Sequence, residues 1–83
     1  MHYILTEHAQ ESIKERHIRL EWVDLAFSQP QWIEPDRVDS TLEHRMTRID
    51  EYGGRVLRVI VNATRTPPRI VTVFFDRGMR NKI

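Results

Sequence analysis

Residues 41–62 read T-L-E-H-R-M-T-R-I-D-E-Y-G-G-R-V-L-R-V-I-V-N, and the pattern is that of a β-hairpin. Thr41 to Ile49 alternates as a half-buried strand does. Leu42, His44, Met46 and Arg48 fall on one side, and Thr41, Glu43, Arg45, Thr47 and Ile49 on the other. Glu51-Tyr52-Gly53-Gly54 supplies a turn, because glycine takes positive φ freely. Arg55 to Asn62 then alternates again, with Leu57, Val59 and Val61 opposed to Val56, Arg58, Ile60 and Asn62. Thr64 to Pro68 is a second turn. Arg69 to Phe75, β-branched and aromatic, reads as a strand covered on both faces.

Upstream of this meander the period changes. Thr6 is a candidate N-cap, and Glu7 suits the positive end of a helix dipole. Ala9, Ile13 and Leu20 space an apolar stripe over Glu7 to His17, and Trp22, Val23, Ala26 and Phe27 do the same over Glu21 to Phe27. Ser28-Gln29-Pro30 stops the second helix, and His17-Ile18-Arg19 is the joint. Tyr3-Ile4-Leu5 is either a short strand or an apolar lead-in, and Gln31 to Ile33 reads as an edge strand. Helices first and strands after is the order of an α+β domain. The expectation is two N-terminal helices packed on one face of a three- to four-stranded antiparallel sheet, with residues 1–83 a single domain and 77–83 a basic, mobile tail.

The chain has 83 residues and no cysteine, which excludes disulfide scaffolds, thiolate metal sites and thiol catalysis. Its formal net charge is +1, yet the distribution is uneven. Residues 1–36 carry three basic against seven acidic side chains, and residues 37–83 carry ten against five. Eleven of the 13 basic residues are arginine, the side chain whose planar fork matches phosphate. No apolar run approaches the roughly 20 residues a membrane helix needs, and Met1 to Thr6 is too short for a signal peptide. The expectation is a cytoplasmic protein of prokaryotic type with no membrane association.

His8, Ser12 and Arg16 lie within about 80° of one another around a helix of 3.6 residues per turn. A histidine beside an arginine suits acid–base work on a phosphodiester; a plain solvated face is the competing reading. Arg48 and Arg58 flank the hairpin turn, and pairing centred at Tyr52-Gly53 sets them almost opposite one another. Like charges so placed repel. Carboxylates from Glu43, Asp50 or Glu51 can compensate them internally, or a phosphate backbone externally. His44, beside Met46 on a strand, reads as a structural histidine, and Trp22 and Trp32 as core or interface. The four histidines lack metal-ligand spacing, so neither a metal nor another cofactor is expected.

The opening T-E-H-A-Q-E-S-I-K-E-R-H-I, Thr6 to Ile18, followed by Ser28-Gln29-Pro30 and Ile70-Val71-Thr72, resembles a family of small prokaryotic domains of unknown function. Its members begin H-A-x-x-R-x-x-x-R-x-I. His8, Ala9, Arg16, Ile18, Pro30 and Ile70-Val71-Thr72 match, whereas Ser12 stands where the family has arginine. That family is remotely similar to RelE-like ribonuclease toxins. The resemblance implies a metal-independent endoribonuclease of a toxin–antitoxin pair. It implies His8, Arg16, Arg48 and Arg58 as catalytic residues and Arg45, Arg55, Thr72, Arg77 and Arg80 as RNA contacts. RNA and a cognate antitoxin are the implied partners. The alternative is a non-catalytic module that binds protein or nucleic acid, and a homodimer through a sheet edge is a further expectation.

Overall fold

The computed structural model describes residues 2–83. The first strand, β1, is Ile4–Leu5, followed by α1 at Glu7–Glu15 and α2 at Leu20–Ser28. Strands β2 (Trp32–Pro35), β3 (Leu42–Ile49), β4 (Arg55–Asn62) and β5 (Arg69–Phe75) come next. Short 3-10 turns at Asp50–Tyr52 and Arg77–Met79 follow β3 and β5.

The fold is α+β, but the sheet is larger and less uniform than expected. It has five strands in the order β1-β5-β4-β3-β2, and β1 pairs parallel to β5 through Ile4–Arg69 and Leu5–Ile70. The other pairs are antiparallel. A two-residue strand that joins a partner more than sixty residues away leaves no periodic trace, so the expected all-antiparallel sheet of three or four strands is corrected here. The hairpin register is also shifted. Met46 faces Arg58, and Arg48 faces Val56, so Arg48 and Arg58 are diagonal rather than opposed. The 3-10 turn over Asp50–Tyr52 moves the centre of pairing by half a residue.

Both helices cover one face of the sheet. Thr6 caps α1 by accepting from the Ala9 amide at 3.2 Å, and its hydroxyl donates to the Val71 carbonyl, which fastens the start of the helix to β5. Ala9, Ile13, Ile18, Trp22, Val23 and Ala26 meet Ile49, Leu57, Val59, Val61, Ile70 and Val73 in one core. Tyr3, Phe27 and Phe75 pack at its margin. Burial of such side chains stabilises the fold by about 1.5–3 kcal/mol each. The joint between the helices turns on His17, whose φ of 54° is left-handed. No described helix is long and apolar enough to cross a membrane.

The other face of the sheet carries no helix. Strand alternation places His44 and Met46 of β3, Val56, Arg58 and Ile60 of β4, and Thr72 and Phe74 of β5 there. Trp32 and Glu34 of β2 join them in register with Met46 and His44. After β5 the chain, expected as a tail, makes the 3-10 turn Arg77–Met79, capped by the Asp76 carboxylate on the Gly78 amide.

Candidate functional site

A line of polar side chains crosses the helix-free face, and Arg58 stands at its middle. Leu57 and Val59 turn to the core, so Arg58 between them must turn away from it. Its side chain is only 12% exposed. Its Nε and Nη2 both donate to a single oxygen, Asp76 Oδ2, at 2.8 and 2.6 Å. Its Nη1 donates to Glu34 Oε1 at 3.1 Å and to His44 Nδ1 at 2.6 Å. The far side of the imidazole, Nε2, lies 2.6 Å from Asp36 Oδ1.

This geometry fixes the proton on His44. A guanidinium has no acceptor, so the Nδ1 that receives Arg58 must present its lone pair. The ring proton therefore sits on Nε2 and is donated to Asp36. Asp36 is itself held in place. Its Oδ2 accepts from the Asp39 and Val38 amides at 2.9 and 3.1 Å. Those amides and His44 lower its pKa to about 2, so the carboxylate stays ionised far into acid. Asp39 is lowered too, by the Thr41 hydroxyl and amide. Glu34, Asp36, His44 and Arg58, with Pro35, Arg37 and Val38, line one open pocket of about 310 Å³.

Three of the strand arginines are compensated from within. Asp76 and Glu34 satisfy Arg58, and Asp50 takes Arg48 Nε at 2.7 Å. Glu43 takes Arg45 Nε at 2.6 Å, while Arg45 Nη1 donates to the Phe27 carbonyl in the last turn of α2. Arg45 thus lies on the helix side, where a cation favours the negative end of a helix dipole. Glu51 accepts instead from Trp22 Nε1 at 2.7 Å. Arg55 rests over the Tyr52 ring, 4.7 Å from its centroid, and Arg80 donates to the Gly53 carbonyl at 3.1 Å. Arg55, Arg77 and Arg80 line a second pocket with Phe75 and Asp76. Thr72 faces Ile60 across the β4–β5 pair.

His8 and Arg16 are not part of this gathering. Both are exposed on α1, and α1 packs on the opposite side of the sheet from Arg58. Ser12, placed with them on a polar face, is buried in the structure. Arg48 shares the face with Arg58, but its guanidinium folds back over Gly54 towards Asp50. Trp22 is core, whereas Trp32 is 42% exposed at the sheet edge. The pocket residues that sequence reasoning passed over are Glu34, Asp36 and His44. The available signal was a carboxylate on each side of Pro35, at the end of the edge strand. Among the described residues no three histidine or acidic side chains gather as a metal site.

Residues 5–75 match a protein family described as a domain of unknown function, DUF4258. The chain belongs to that family. The match takes in both helices and all of the sheet except the first residue of β1, so the polar line of the DUF4258 domain lies inside it apart from Asp76. No curated protein and no solved structure matches the chain.

Proposed function

We propose that the domain cleaves RNA without a metal, as a RelE-like endoribonuclease, with His44 and Arg58 at its centre. The observation that carries this reading is the 2.6 Å contact between Arg58 Nη1 and His44 Nδ1, at the wall of an open pocket, with Asp36 behind the imidazole. In the resting site Arg58 occupies the imidazole lone pair. A phosphodiester oxygen that draws Nη1 towards itself frees that lone pair. Nδ1 then takes the proton of the 2′-hydroxyl as the 2′-oxygen bonds to phosphorus. The bond to the 5′-oxygen breaks, that oxygen takes a proton from water, the imidazolium gives its proton to the hydroxide so formed, and a 2′,3′-cyclic phosphate remains. Arg58 balances charge on the phosphorane. Asp36, ionised at working pH, stabilises the imidazolium through Nε2, as a carboxylate does behind a catalytic histidine.

The test is incubation of a short RNA with purified protein at low salt in the presence of a chelator. Cleavage with cyclic-phosphate ends is expected, and His44→Gln is expected to lower the rate by about 100-fold or more, in the range for loss of a general base. Intact RNA with the wild-type protein overturns the reading.

A second reading, a non-catalytic module for a protein partner such as an antitoxin, is favoured by a different observation. Trp32 and Ile33 are exposed on β2 at the sheet edge, and Val38, in the loop after it, is almost wholly exposed. Under that reading a stable partner depends on Ile33 and survives His44→Gln.

A further inference from the structure

The second pocket, of about 330 Å³, lies where β4 begins and β5 ends, and three of its five lining residues are arginines. Arg55, Arg77 and Arg80 form no ion pair among the described residues. The acidic residue in the lining is Asp76, and its Oδ2 is already committed to Arg58 while Oδ1 accepts the Gly78 amide. The pocket therefore sets three guanidiniums against one carboxylate whose charge is shared with Arg58, an excess of about two positive charges. Two of the three are also held in position. Arg55 lies against the Tyr52 ring, and Arg80 is fastened to the next residue, Gly53, so both guanidiniums sit at the tip of the β3–β4 hairpin. Each spends few of its five N–H groups in doing so. Phe75 forms an apolar wall beside them.

A phosphodiester in a nucleic-acid backbone carries one negative charge, and an excess of two positive charges is more than it needs. A phosphate monoester carries close to two charges at neutral pH and three exposed oxygens. We propose that this pocket is a phosphate-monoester site, which takes the phosphorylated end of a nucleotide and places its apolar part against Phe75. The site adjoins the His44–Arg58 centre through Asp76, which lines the pocket and binds Arg58, but it contains neither His44 nor Arg58 and stands whether or not that centre cleaves RNA. Two sources present this chemistry: the 5′-phosphate end of an RNA strand, and a free mononucleotide.

The experiment compares binding of three probes to the whole chain: a 5′-phosphorylated hexaribonucleotide, the same RNA with a 5′-hydroxyl, and adenosine 5′-monophosphate. Anisotropy reads the labelled RNAs, and amide chemical shifts locate the mononucleotide. The phosphorylated RNA is expected to bind at least tenfold more tightly than the hydroxyl form. Arg77→Ala is expected to abolish that preference, and His44→Gln to leave it intact. Arg77 is exposed and makes no side-chain contact that the fold depends on, and a second variant, Arg55→Gln, keeps bulk over Tyr52 should Arg77→Ala unfold. Shifts from the mononucleotide around Arg55, Arg77 and Arg80 without an RNA preference assign the site to a free nucleotide and still support it. Equal binding of both RNAs with no shifts there overturns the proposal, as does a preference that survives both arginine variants. Loss of RNA cleavage with the end preference retained counts against the nuclease reading alone.

Discussion

Arg58 donates to two carboxylates and an imidazole from a position that is nearly closed to water. Its removal leaves Asp76 and Glu34 without their cation, and loss of one partner of a buried pair costs about 3–5 kcal/mol. Because Glu34 is half open to solvent, Arg58→Ala is expected at the lower end, about 3 kcal/mol, measured by urea unfolding. Asp36 makes a pH prediction. Its unfolded carboxyl titrates near 4 and its folded one at about 2. Ionised Asp36 therefore favours the folded state above pH 4, and that advantage drains away as pH falls through about 2. The stability gap between wild type and Asp36→Asn should be wide at pH 6 and narrow at pH 2. At this scale the sequence was partly readable. Arg58 stood out because it breaks an apolar alternation. His44 did not, since its importance depends on a diagonal contact that only the true register creates.

The elements were the most legible level, and the hairpin shows why. Period-two alternation set the bounds of β4, a β-branched and aromatic run those of β5, and two adjacent glycines marked the turn. The structure adds that the two glycines are not equivalent. Both have positive φ, 69° at Gly53 and 72° at Gly54, but a Cβ on Gly54 would come within 2.9 Å of Arg48 Nη2. A left-handed alanine costs roughly 1–2 kcal/mol by itself. Gly53→Ala and Gly54→Ala should therefore lower the thermal midpoint by similar amounts, and Gly54→Ala should in addition push the flexible Arg48 guanidinium away from Asp50, which the Arg48 side-chain resonances would show. The weakest element in sequence terms was β1. It owes its place to long-range ties: backbone pairing with β5, and the Tyr3 hydroxyl donating to Asp24 of α2. Burial and that carboxylate both push the Tyr3 hydroxyl pKa upward. The unfolded phenol ionises near 10, so the neutral folded form loses its advantage as pH rises beyond that. Tyr3→Phe should flatten the alkaline fall in unfolding free energy.

For the molecule as a whole, the uneven charge had a clear meaning: an acidic helical layer, and arginines on the strands and the end beyond β5. What the charge count could not tell was which arginines are spent. Glu43 and Asp50, each two residues away, neutralise Arg45 and Arg48, and Asp76 just beyond β5 neutralises Arg58; which arginine meets a carboxylate depends on placement in the fold, not on composition. Of the arginines expected to contact RNA, that leaves Arg55, Arg77 and Arg80 unpaired among the described residues, alongside other exposed, unpaired cations such as Arg37 and Arg65. If each of the three pocket arginines meets one phosphate charge, the log–log salt dependence of single-strand binding should have a slope of about −2, from roughly 0.7 counterions released per contact. A slope near zero would show that these side chains meet no nucleic acid.

The parallel seating of β1 on β5 has a practical outcome. Both strands run the same way, so residue 4 lies beside Arg69, at the end of β5 remote from Arg77. Seven strand residues at about 3.3 Å each put roughly 20 Å between the two ends. Anything attached ahead of Tyr3 leaves the molecule on the far side from the arginine pocket, whereas anything attached after Ile83 begins only a few residues from it. A surface-immobilised or fluorescently tagged version should carry its tether at the amino end. An affinity for phosphorylated RNA that weakens only when the tether is moved to the carboxyl end would map the pocket without altering a single arginine.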